Sequence, residues 1–150
     1  MEELQSIPGI GHYTAAAIRN FAFGIPTPCL DTNIRRVLHR TFVGAENPDG
    51  TWRISDRTLL KLAGEALEVA IKWKIENGQW TMSRATMEWH AALMDFGALV
   101  QTKTNPKWDL CPLAKRGLCK AAMRMRVGAP LRGALRRRKK EPGRFVGAKF

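Results

Sequence analysis

At 150 residues, 45% of them hydrophobic, the chain is long enough for one domain with a core of its own, and it holds no apolar run near the roughly 20 residues a membrane helix requires. Its three cysteines, Cys29, Cys111 and Cys119, form an odd, sparse set that excludes a disulfide-stapled secreted scaffold and fits a reducing compartment. The net charge of +12 is unevenly spread: residues 1–100 carry 10 Lys and Arg against 11 Asp and Glu, and residues 101–150 carry 15 against 2, so the last third suits a polyanion or forms a solvated basic tail.

Helical periodicity dominates in chain order. Residues 6–11, Ser-Ile-Pro-Gly-Ile-Gly, read as a tight turn, because glycine takes positive φ without penalty and lets the backbone approach another group. An Ala-rich helix is expected over 13–23, ended by the Gly-Ile-Pro-Thr-Pro of 24–28, where proline removes amide donors and restricts the residue before it. Asp31 begins a second helix whose apolar positions Ile34, Val37, Leu38 and Phe42 recur at three- and four-residue steps. Turn residues without periodicity place a loop over 44–54.

A long amphipathic helix over 57–74 is expected to turn Leu59, Leu60, Ala63, Leu67, Ala70 and Ile71 inward. Another over 84–100 carries Trp89, Ala92, Leu93, Phe96 and Val100 as one stripe. Residues 105–120 hold two prolines and read as a loop, and from Arg124 onward the basic, Gly-bearing chain is expected to be loosely ordered. Nothing alternates with period two and no repeat is present, so the fold class is all-α, a helical bundle with a basic C-terminal tail. His39 and His90 fall on helices as packing or surface residues, and Trp52, Trp73, Trp80 and Trp89 as core or loop anchors.

The exposed amides of the Pro8-Gly9-Ile10-Gly11 turn, followed by the positive end of a helix starting near His12, make a site for an anion such as a DNA phosphate. The bare Gly-x-Gly pattern equally describes an ordinary turn between helices. Context adds to it: SIPGIGHYTAAAI, then CLDTNIRRVLHR, then ALMDFGALV follow one another in this order. Together they closely resemble the helix-hairpin-helix DNA glycosylases of the endonuclease III superfamily, and among these the A/G-specific adenine glycosylases, over about residues 2–119.

The resemblance implies a partial helix-hairpin-helix glycosylase fold. Its hairpin and the end of one helical domain would lie in residues 1–23, a second helical domain in 24–122, and a basic tail or linker in 123–150. It implies a DNA-binding set of Pro8, Gly9, Ile10, Gly11, His12 and Thr14, joined by Lys103, Lys107, Lys115 and Arg116 in a phosphate-binding loop and by Arg136, Arg137 and Arg138 in the tail, next to Lys139 and Lys140.

It makes Asp31 the catalytic aspartate as well as a helix N-cap. A carboxylate beside C1′ would stabilise, or trap, the positive charge that builds on the deoxyribose as the glycosidic bond breaks. Asn33 would help to position sugar or water. Tyr13 falls where strand-cleaving relatives carry a Schiff-base lysine; a tyrosine forms no imine, so a monofunctional glycosylase is implied. The family's general-acid glutamate lies far upstream of the hairpin, and neither Glu2 nor Glu3 takes its place by position. The expectation is therefore a fragment of a longer enzyme, inactive alone, whose parent removes a mispaired adenine from duplex DNA. A non-catalytic DNA-binding module and a thymine or uracil mismatch glycosylase are the alternatives.

Relatives usually hold a 4Fe-4S cluster in a C-x6-C-x2-C-x5-C loop after the last helix. Here Gln101 and Trp108 stand at the first two ligand positions, and only Cys111 and Cys119 remain, separated by seven residues instead of five. Two thiolates underligate a cluster, and zinc would need two more ligands, so no metal is expected, with Trp108 filling the volume. The protein is further expected to be a monomer, without membrane association, in the cytoplasm at the nucleoid.

Overall fold

A computed structural model of the protein describes residues 1–78 and 80–128, with side chains up to residue 124 of the last helix. Seven helices follow one another: α1 (Glu2–Gln5), α2 (His12–Phe21), α3 (Thr32–Phe42), α4 (Asp56–Glu76), α5 (Met82–Leu99), α6 (Pro112–Lys115) and α7 (Lys120–Gly128). No strand occurs among the described residues. The starts of α3, α4 and α5 are set by side-chain caps. Asp31, Ser55 and Thr81 each accept the amide of the third residue on, Ile34, Thr58 and Arg84 respectively, and each such cap stabilises its helix by about 1 kcal/mol. Helix α2 begins differently, with Gly11 at its N-cap and, among the described residues, no side chain that caps it.

Helix α5 is the hub, packing on α2, α3 and α4, while α3 also meets α7. Ala16, Cys29, Ile34, Leu38, Leu59 and Ala63 form the core where these helices converge. Cys111, Ala114, Cys119, Ala121 and Ala122 form a second cluster beneath Phe96 and Trp108. Two glycines are required by close approach. A Cβ on Gly97 of α5 would stand 2.7 Å from the Cβ of Asn33, and one on Gly24, whose φ is +63°, would stand 2.7 Å from the Cα of Ser83.

The sequence expectations fail in four places. Phe42 is 41% exposed, although it shares the period of the buried Ile34, Val37 and Leu38. On α5 the buried positions are Ala85, packed on Leu67 and Ile71 of α4, and Thr86, His90 and Gly97, of which His90 bonds Asn20 of α2 and Gly97 lies close on Asn33 of α3, so that small or hydrogen-bonded residues are admitted. Trp89 and Ala92 instead flank an apolar groove of about 400 Å³, shared with Trp73 and Trp80. The expected loop over 105–120 contains α6, whose first turn is closed by the Cys111 sulfur accepting the Ala114 amide. Loose order from Arg124 is replaced up to Gly128 by α7, which leans on α3. Arg136, Arg137, Arg138, Lys139 and Lys140 lie outside the described residues.

Candidate functional site

The opening turn is built as its sequence requires. The Ile10 amide bonds to the Ile7 carbonyl at 3.1 Å, with Pro8 second and Gly9 third at φ +87°, the conformation of a type II turn. Gly11 is extended and leads into α2. A Cβ on Gly9 or Gly11 would meet nothing within 4 Å, so the turn presents bare backbone outward. His12, Tyr13 and Thr14 open α2 on the surface, and Ile10 is half-buried beneath them. An uncapped helix N-terminus behind exposed glycines suits a phosphate group.

Asp31 stands half-buried at the head of α3. Its Oδ1 accepts the Ile34 amide at 2.5 Å, and its Oδ2 accepts from the Asn33 side chain at 3.4 Å. Tyr13 and Cys29 share its surroundings. Burial first, and then the Asp31 carboxylate, raises the Tyr13 hydroxyl pKa, and the same two causes push the Cys29 thiol up to about 11. The heads of α2 and α3 therefore face one region. Beside them a cleft of about 330 Å³ is lined by His12, Tyr13, Leu30, Arg35, Arg57 and Leu60, with Arg35 paired to Asp56; Asp31 itself is not part of that lining.

Two residues that hold this arrangement lie within the CLDTNIRRVLHR block but carry no role predicted from the sequence. Arg36 is 5% exposed and donates to the Asn33 side-chain oxygen at 2.5 Å, the Gly97 carbonyl at 2.8 Å and the Gln101 carbonyl at 2.6 Å. Asn33 is thereby clamped between Arg36 and Asp31. One turn later the buried Arg40 pairs with Glu46 and donates to the carbonyls of Gln101, Thr102 and Lys103, its guanidinium lying over the Trp108 ring. The available signal was their spacing, two basic residues four apart on the face that buries Val37.

Lys103, Lys107, Lys115 and Arg116 are all exposed, as a phosphate-binding loop requires. The loop begins against Arg40, so it is anchored about 13 Å along α3 from Asp31. The other histidines are structural. His39 Nδ1 pairs with the Gly44 carbonyl and its Nε2 accepts the Arg53 amide, while His90 bridges Thr86 and Asn20. Burial lowers both pKa values. Among the described residues no group of three or more His, Cys, Asp or Glu is gathered that could hold a metal ion, and no helix is long and apolar enough to cross a membrane.

No protein-family model matches the chain. Curated proteins do. The adenine DNA glycosylase of Mycolicibacterium smegmatis is 32% identical over 114 residues, 76% of this chain and 33% of that protein. That of Buchnera aphidicola is 34% identical over 119 residues, 79% of this chain and 28% of that protein. The human adenine DNA glycosylase is 31% identical over 121 residues, 81% of this chain and 19% of that protein. The chain thus spans a third or less of the length of these relatives. With the ordered motifs, the all-helical fold and the likeness from bacteria to human, the chain belongs to the adenine DNA glycosylase family.

Proposed function

We propose that the chain carries the hairpin and the catalytic carboxylate of a monofunctional DNA N-glycosylase that hydrolyses the glycosidic bond of a mispaired adenine in duplex DNA. The observation that supports this best is the Asp31 carboxylate, fixed by the Ile34 amide and Asn33, in the same region as Tyr13 and the hairpin end of α2. In this reading the amides of residues 9–11 and the head of α2 grip a backbone phosphate, which positions the duplex without reading its sequence. His12 and Thr14 flank that grip. Turning the target nucleotide out of the stack costs a few kcal/mol, least at a mismatch.

Asp31 then meets the sugar. As the bond to adenine lengthens, positive charge grows on the deoxyribose, and a carboxylate already oriented stabilises it without reorganising. Water adds to C1′ and adenine leaves with a proton; no residue of this site is assigned as its donor. Asn33, held by Arg36, fixes the carboxylate plane. Tyr13 forms no imine, so the strand is not cut. The exposed Lys103, Lys107, Lys115 and Arg116 add phosphate contacts along the duplex, and Arg136, Arg137 and Arg138 add charge. The division at residues 23 and 122, the monomeric state and a cytoplasmic, nucleoid-bound location belong to the same reading.

The residues present do not fit the family's iron–sulfur cluster. Such a cluster needs four ligands, in this family four thiolates; here two thiols, fully buried among alanines, share the site with a neutral amide. No step of the reaction is routed through it.

The test uses duplexes carrying, in place of the target deoxyadenosine, either a cationic pyrrolidine or a neutral tetrahydrofuran residue. The chain is expected to bind the cationic analogue at least about tenfold more tightly, close to 1.4 kcal/mol, and Asp31→Asn is expected to abolish the preference. Equal affinity of the unaltered chain for both would leave a DNA-binding module without the carboxylate's role.

A further inference from the structure

The end of α5 runs into Gln101, a side chain with no exposed surface, between two thiols that also have none. Its Nε2 lies 3.8 Å from the Cys111 sulfur and 3.9 Å from the Cys119 sulfur. A primary amide has two N–H donors, one for each sulfur. The backbone carbonyl of the same residue accepts from Arg36 Nε at 2.6 Å and Arg40 Nη1 at 3.1 Å. Cys111 caps α6 through the Ala114 amide, and the Cys119 thiol, just before α7, donates to the Arg40 carbonyl at 3.4 Å. One residue therefore ties together the end of α5, the buried arginines of α3 and the starts of α6 and α7.

Filling space does not explain an amide here. Gln101 Oε1 is buried with no partner among the described residues, a cost that an apolar side chain of the same length would avoid. What the amide adds over such a side chain is its pair of donors, on a nitrogen that lies within 4 Å of both sulfurs.

We propose that Gln101 is the cross-link of a cluster-free loop: its amide bridges Cys111 and Cys119 where relatives use a metal centre, so that this chain folds and holds residues 101–119 against α3 without iron. The inference rests on the family membership and not on the role of Asp31. Its measurements need no DNA, so their failure leaves the glycosylase reading standing.

The full chain, purified without oxygen and again after incubation with ferrous iron and sulfide, is to be assayed for iron, acid-labile sulfide and thiolate-to-iron absorption. Substoichiometric iron and no such absorption are expected; a stoichiometric cluster overturns the proposal. Labelling of Cys111 and Cys119 by a thiol reagent in the native state then separates bridging from filling. Gln101→Met keeps the length and removes both donors, and is expected to label about tenfold faster and to melt earlier than the unaltered chain. Failure of Gln101→Met to fold carries the same meaning, since its volume is preserved. A Gln101→Met chain that labels and melts like the original shows a side chain that only fills space, and sinks the proposal.

Discussion

Arg36 links the candidate site to the rest of the molecule, because one buried guanidinium satisfies Asn33, Gly97 and Gln101 together. Arg36→Met would leave the Asn33 side-chain oxygen and the Gly97 carbonyl without this donor, each costing about 1–3 kcal/mol, while the Gln101 carbonyl keeps Arg40. Equilibrium denaturation is expected to show a loss of about 2 kcal/mol or more. At the same residue scale, Asp31 and the hairpin were legible in the sequence because short motifs hold them: a turn that needs glycine, and a carboxylate that needs a helix head. Arg36 and Arg40 were not, since a search for apolar periodicity passes over a charged residue that is buried by pairing with carbonyls.

At the scale of elements, the α3–α5 crossing carries the site, and Gly97 sets its closeness. Gly97→Ala would press a methyl group against Asn33 Cβ and its carbonyl, 2.7 and 3.0 Å away, and is expected to cost about 1–3 kcal/mol. It is further expected to loosen Asn33, which the cationic-analogue preference would report. Leu59→Ala, in the buried core and not itself a proposed DNA contact, is expected to cost about 2–5 kcal/mol and leave that preference unchanged in the folded fraction. The four long helices were readable from periodicity and caps. The inward face of α5 was not, because an aromatic stripe suggests a core, whereas the tight crossing selects Gly97, Thr86 and a hydrogen-bonded His90 and leaves Trp89 beside an open groove. Short helix α6 was hidden by the two prolines of residues 105–120, one of which occupies its first turn, where no amide donor is needed.

For the whole molecule, charge and protonation make separate statements. His39 and His90 have folded pKa values below the ordinary 6.5. Above that value both are neutral folded and unfolded, so they do not alter stability; below it the unfolded chain takes up protons that the folded chain refuses. Stability is expected to be flat from pH 8 to 7 and to fall as pH drops through 6.5 toward the folded values, as denaturation midpoints would show. The charge excess of residues 101–150 predicts salt-sensitive DNA binding, and removing Arg136, Arg137, Arg138, Lys139 and Lys140 is expected to flatten the log–log salt slope by about 0.9 for each phosphate that is no longer neutralised. The central claim is that Asp31 acts on the sugar of a turned-out adenosine. It is tested most directly by single-turnover adenine release from a mismatched duplex, using the Mycolicibacterium smegmatis relative with its matched third replaced by this chain, carrying either Asp31 or Asp31→Asn. Release by the first and a rate at least about 100-fold lower for the second are predicted; equal rates from the two proteins would contradict the account.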